Sequence, residues 1–329
     1  MGLGEEGPAI SWVPGPNLSG NDGGLKVRTR PQPPGPMASR FCKNFIASIG
    51  TTSWLDGGPR QKYSPPRERG EEVEVPGESG DFMGTYKAVI FDMFDTLVNF
   101  RNVHLPLVRV NGREVRSTSP FVYEVLKPLC ATVVFEDFFH AFVGSYRAAE
   151  EIRNREHREV TARERFRMLF TRLRIPEGPE TSDLMEAGIA EHMRQLARAM
   201  EFPESHRAPL DRLRPRYRLG IISNFDHGPT VEMALTAHGI RDRFEAVVVS
   251  ADIGWRKPRP EIFLEAFRQM GIGPVDAIFV GDTPEVDVLG AQAVGMDVIW
   301  IDDGTKALPP GSPLPTHTVA SFVEVGRLL

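Results

Sequence analysis

The chain has 329 residues, with 39 Lys and Arg against 44 Asp and Glu and a formal net charge of −5. Charges of both signs are interspersed, which leaves no footprint for nucleic acid or an anionic membrane surface, and no apolar run reaches the roughly 20 residues needed to span a bilayer. Only Cys42 and Cys130 are present, excluding a disulfide framework or thiolate metal site and making a reducing, cytoplasmic setting the expectation.

Residues 1–82 carry 14 Gly and 11 Pro without a period, the composition of a disordered extension. The patch "RFCKNFIASIG" is too short for a secretory core. A transit peptide starting at Met37 is disfavoured by the acidic residues that follow it. The Asn17-Leu18-Ser19 triplet fits a glycosylation pattern, but nothing places the chain in a secretory path. The folded protein is expected to begin at Met83, in "MGTYKAVIFD".

Beyond that point, apolar runs alternate with helical stretches: "AVIF" at 88–91, "LGII" at 219–222, "AVVV" at 246–249, "AIFV" at 277–280 and "VIWI" at 298–301. Continuous apolar strands separated by helices predict an α/β fold whose parallel sheet is covered on both faces. "HTVASF" is expected to add an edge strand. "RAPLDRLRPRY" reads as a helix before the second run, and "PEIFLEAFRQMG" as one ending in a Gly cap.

Residues 101–205 break the alternation. "LVRVNGREVRST" is two short strand-like runs around Asn-Gly, a hairpin signal. Helical patterns follow in "FEDFFHAFVGSYRAAEEI", "ARERFRMLFTRL" and "TSDLMEAGIAEHMRQLARAM". The expected organisation is an α/β core from 83–100 and 206–329, with a mainly helical cap from 101–205 inserted after the first strand.

Ligands of open α/β sheets bind beyond the carboxyl ends of the strands. Asp92 follows the first run, Ser223 and Asn224 the second, Lys257 lies beyond the third, and "GDTPEVD", with Asp282 and Asp287, closes the fourth. Singly, each has a plain structural use. Asp92 suits a turn, Ser223 or Asn224 a helix cap, Lys257 a solvated loop, and Asp282 with Glu285 a capping box. Independent caps would not gather a nucleophile, a hydroxyl, an amide, a cation and a carboxylate pair along one sheet edge.

In this order the residues resemble the haloacid dehalogenase-like hydrolase superfamily over roughly 86–303. Its first motif matches at Asp92 and Thr96, its second at Ser223, its third at Lys257 and its fourth in "GDTPEVD". The resemblance implies a Rossmann-like core with a cap between the first two motifs. It implies Asp92 as covalent nucleophile, with Lys257 and Ser223 as catalytic partners. Thr96, Ser223, Asn224 and Lys257 would bind the phosphoryl group, and Asp92, the Phe94 main-chain carbonyl, Asp282 and Asp287 would hold Mg2+. A small-molecule substrate is expected, with neither nucleic acid nor membrane as partner. A homodimer is compatible with this reading.

One position departs from the pattern. In "VIFDMFDTLVNF" Phe94 stands where phosphatases of the family carry an acid/base aspartate, while 2-haloacid dehalogenases carry an aromatic residue there. Those dehalogenases use no metal and lack the aspartate pair retained here. Three readings follow: a magnesium-dependent phosphohydrolase whose acid is absent or supplied by Asp95, Asp226 or His227; a metal-independent 2-haloacid dehalogenase; and a non-catalytic binding protein. Cap residues Arg109, Arg113, Arg116 or His104 are candidates for substrate contact, though a solvated hairpin face is the commoner use of such arginines. His140, His157 and His192 read as structural or exposed.

Overall fold

The computed structural model describes residues 86–329, and the expectations for residues 1–82 and Met83 lie outside them. Six strands form one sheet in the order β10-β9-β8-β1-β6-β7. They are β1 (Ala88–Phe91), β6 (Arg218–Ser223), β7 (Ala246–Val249), β8 (Ala277–Gly281), β9 (Asp297–Ile301) and β10 (His317–Val319). Every neighbouring pair is parallel, so each connection is a crossover, and all but the loop from β9 to β10 carry helices that cover a face. That covering explains why β1 and β8 read as unbroken apolar runs: all their residues are buried. The edge strand falls on "HTV", as expected.

Between β1 and β6 the chain builds the insertion. A short β2 (Asn99–Phe100) pairs antiparallel with β5 (Met200–Glu201), tying its two ends together. Neither segment was legible as a strand, because two residues carry no period. The hairpin forms as expected from β3 (Leu107–Val110) and β4 (Arg113–Arg116). Asn111 and Gly112 both take positive φ at its tip, the conformation Asn-Gly turns favour. Four helices follow: α1 (Ser119–Leu126), α2 (Phe135–Glu156), α3 (Ala162–Leu173) and α4 (Pro179–Ala197). Val108, Val110 and Val115 of the hairpin pack on Phe139 and Val143 of α2.

The remaining helices line the sheet: α5 (Arg207–Leu213), α6 (Gly228–Ala237), α7 (Ser250–Ile253), α8 (Pro260–Met270), α9 (Leu289–Ala293) and α10 (Phe322–Leu328). As predicted, α8 stops at Gly271 with φ +59°, where the glycine N–H closes the helix on Phe267 and Arg268 carbonyls. The insertion is stitched to the core through main-chain bonds: Ala162 N–H to Asp226 O at 2.9 Å, Glu159 N–H to Gly254 O at 2.9 Å, and Arg256 N–H to His157 O at 2.9 Å. α3 starts beside those stitches because Thr161 and Glu164 form a reciprocal capping box.

Candidate active site

Asp92 follows β1 directly, and its N–H donates to Val280 O at 2.8 Å, extending the ladder by one step and fixing the side chain at the sheet edge. Asp282 stands one residue past β8, the neighbouring strand. Asp287 lies one π-helical turn further on, within Pro284–Val288. Its Oδ2 turns back to accept the N–H groups of Asp282 (3.2 Å) and Thr283 (2.9 Å). Gly281 makes that fold-back possible: a Cβ there would lie 2.5 Å from the Asp287 Cβ. One carboxylate oxygen from each of Asp92, Asp282 and Asp287 lies within 4.8 Å of the others, and all three residues are buried.

Lys257 closes the cluster from the β7 side. Its Nζ is 2.5 Å from Asp92 Oδ1 and 2.8 Å from Asp287 Oδ1, and the residue is 2% exposed. The Asn224 side chain holds it there, accepting the Lys257 N–H at 2.8 Å and donating to the Lys257 carbonyl at 3.0 Å. The amide expected to meet a phosphoryl oxygen is thus spent on positioning the lysine. Thr96 Oγ1 is 3.5 Å from Asp282 Oδ1, and Thr283 Oγ1 donates to the same oxygen at 3.2 Å. Ser223 is fully buried at the end of β6, one strand from Asp92, and its Oγ has no hydrogen-bond partner among the described residues.

Crowding carboxylates out of water sets the electrostatics. Burial raises the Asp92 pKa to about 7, against the pull of Lys257. Burial likewise lifts Asp282 to about 6, with Lys306 opposing. Burial alone would depress the Lys257 ammonium, but Asp287 and Asp92 more than offset this and hold its pKa above the ordinary value. Three clustered carboxylates faced by the buried Lys257 and the half-buried Lys306 form a group that could hold a metal ion.

Phe94 is buried, with its ring 5.2 Å from that of Phe225 and 6.3 Å from that of Phe100. The groups weighed as substitute acids are engaged elsewhere. Asp95, at φ +59°, accepts the Phe100 N–H at 3.2 Å. Asp226 pairs with Arg153 at 3.2 Å, and His227 Nδ1 lies 2.8 Å from Thr230 Oγ1. Arg109 and Arg113 are exposed, Arg109 pairing with Glu114, and Arg116 donates to Leu105 O at 2.8 Å.

A family model described as haloacid dehalogenase-like hydrolase matches residues 86–295. The chain belongs to the haloacid dehalogenase-like hydrolases. Human N-acylneuraminate-9-phosphatase is 33% identical over 131 residues, covering 40% of this chain and 52% of that protein. Phosphoserine phosphatase of Thermus thermophilus is 33% identical over 153 residues, covering 43% and 60%. The chain thus spans a little over half the length of these curated relatives. Among solved structures, a 2-haloacid dehalogenase from Pseudomonas syringae pv. Tomato DC3000 superposes with a TM-score of 0.56 at 24% identity, covering 74% of this chain and 97% of that one. This last likeness is one of fold.

Two residues of this hydrolase escaped the sequence reading. Lys306, in the loop after β9, binds the Asp282 carboxylate and donates to Thr283 Oγ1 at 2.8 Å. No motif flags a lysine 24 positions downstream in a Pro/Gly-rich loop. Arg165 is 1% exposed inside the insertion. It had a signal: Ala162, Arg165, Phe166, Leu169 and Phe170, the buried set of α3, follow helical spacing, so the arginine occupies a core position. The capping-box alternative for Asp282 is not formed: the helix-start residue is Thr283, whose side chain caps no N–H of that turn, and Asp282 faces Lys306, Thr96 and Thr283 instead.

Proposed function

We propose that this chain is a cytoplasmic, magnesium-dependent phosphohydrolase of a small phosphorylated metabolite, working through a covalent intermediate on Asp92. The observation carrying this reading is the trio of buried carboxylates gathered at the sheet edge beside Lys257. The donor set suits magnesium, which takes hard oxygens and shares its shell with substrate phosphate. Asp92, Asp282 and the Phe94 carbonyl would hold the ion directly, and Asp287 through water. When bound, it supplies the positive charge that lets a carboxylate approach a phosphate dianion.

The chain's own groups do the rest. Lys257 holds Asp92 Oδ1, leaving Oδ2 to attack phosphorus as the bond to the leaving oxygen breaks. The unpartnered Ser223 Oγ–H donates to a phosphoryl oxygen, with Lys257 adding a fixed charge. Water then attacks phosphorus, the bond to Asp92 breaks, and the carboxylate is restored. The insertion acts as a cap that excludes bulk water and selects the substrate.

Magnesium calorimetry tests the metal assignment. Asp282→Asn should weaken Mg2+ binding at least about tenfold, with activity partly recovered at high metal. Lys306→Met should tighten binding about fivefold or more, because the ion no longer competes with an ammonium on Asp282. If neither variant moves the affinity, the aspartate pair is structural and the reading fails.

A metal-independent 2-haloacid dehalogenase is the second reading, favoured by the aromatic enclosure of Phe94 and by the lysine already resting on Asp282. There Asp92 would attack carbon and expel halide, which needs no proton.

A further inference from the structure

Between the insertion and the core, behind the Asn224–Phe225 segment that follows Ser223, lies a cavity of about 30 Å³. A water needs roughly 10–15 Å³ of such space, so the cavity has room for a group with about two polar heavy atoms. Three arginines border it: Arg153, Arg165 and Arg256. Two are used up by the protein. Arg153 reaches Glu159 (2.8 Å), Glu150 (2.7 Å) and Asp226 (3.2 Å), and Arg256 pairs with Glu159 at 2.5 Å.

Arg165 differs. Its Nε and Nη2 are buried without a hydrogen-bond partner among the described residues. The nearest carboxylate oxygen, Asp226 Oδ2, is 3.8 Å from Nε and already accepts from Arg153. The guanidinium lies against two aromatic rings, 5.2 Å from Phe142 and 5.0 Å from Phe166. Burial lowers its pKa only to about 10, so it stays cationic at neutral pH. Nε and Nη2 lie on one side of the guanidinium, the pair of parallel donors that grips a carboxylate side-on. The neighbouring His192 makes no hydrogen bond to these two nitrogens. Its Nδ1 is engaged with Thr118 Oγ1 at 2.6 Å, and burial holds its pKa well below the ordinary value.

From the open fork of Arg165 in this cavity we infer a carboxylate-binding subsite between the insertion and the core. Buried guanidinium donors left unmatched are costly, and a carboxylate matches the fork in number, direction and charge. Resting on the phosphohydrolase reading, one source is the substrate's own acid group, in which case the substrate is a phosphorylated small acid. Phe225 is the shared wall, lining the cavity while packing on Phe94. The main-chain bond from Ala162 to Asp226 fixes α3, and Arg165 with it, against that wall. A separate small carboxylate ligand would use the same chemistry.

Matched phosphate monoesters of equal length, one ending in a carboxylate and one in a methyl group, distinguish the two sources. For the substrate's own carboxylate, wild-type kcat/KM should favour the acid about a hundredfold, the scale of hydrogen bonds to a charged group. Arg165→Met should erase most of that ratio, and Arg165→Lys should restore part of it. For a separate ligand, the ratio is near one, but formate or acetate should raise the wild-type melting temperature by roughly 2–4 °C over chloride at equal ionic strength. Arg165→Met should abolish that rise. A monoester ratio near one together with no carboxylate-specific stabilisation of wild type would overturn the inference, and neither measurement requires the variant to fold. If no monoester is turned over with magnesium while the formate effect persists, the subsite stands and the phosphohydrolase reading falls.

Discussion

Asp92→Asn should lower turnover by at least about four orders of magnitude while the fold persists. The substitution keeps shape and removes the nucleophilic charge on which every later step depends. Single-turnover hydrolysis in heavy-oxygen water separates the two catalytic readings in the wild type. In phosphoryl transfer water attacks phosphorus, so the label leaves in inorganic phosphate. In dehalogenation water attacks the aspartyl ester carbon, so the label stays in Asp92. Substantial turnover by purified Asp92→Asn protein would remove the covalent mechanism altogether.

The same variant carries a stability signature in metal-free protein. Burial raises the Asp92 pKa in the folded chain from 3.8 to about 7, so the native state holds a proton the unfolded state has released. Below about pH 4 both states are protonated, and above about pH 7 both are ionised. Between these limits, ionising Asp92 costs the native state stability as pH rises. Asparagine has no proton to lose. The stability of Asp92→Asn relative to wild type should therefore climb between about pH 4 and 7 and stay level outside that window. Urea denaturation across that range measures it, and a flat difference would mean that burial does not raise the Asp92 pKa.

The strands carrying the site could be read because each is buried on both faces and then meets a polar residue at its carboxyl end. That contrast is local, so Asp92, Ser223 and Asp282 stood out from a single sequence. Asn224 shows where local reading stops. Its type and place suit a ligand contact, but only the folded loop brings the Lys257 peptide within reach of its amide. Lys306 reaches Asp282 across a loop whose path no periodicity encodes. Arg165 was hidden differently. Among the charged residues of "ARERFRMLF" it resembled a solvated helix face, and only its spacing against Phe166 and Leu169 marked it as inward.

Phe94→Asp should raise turnover of alkyl phosphates by about a hundredfold or more, within the range that general acid–base assistance supplies. Position 94 stands two residues past the nucleophile, and the alternatives Asp95, Asp226 and His227 are engaged by Phe100, Arg153 and Thr230. Without an acid, departure of an alkoxide limits the rate, so wild type should favour aryl and acyl phosphates, whose leaving groups need little help. The new carboxylate would sit against Phe225 and Phe100, where desolvation raises its pKa and keeps it protonated for the first proton transfer. That placement has a cost. Removing a buried aromatic ring should destabilise the protein by about 3 kcal/mol, visible as a lower denaturation midpoint. The gain should be much smaller on aryl phosphates, and that difference is the diagnostic. A wild type already indifferent to leaving-group basicity would show that another group delivers the proton. A variant that gains nothing on alkyl phosphates and loses turnover of 2-haloacids would instead make Phe94 a wall of a dehalogenase pocket.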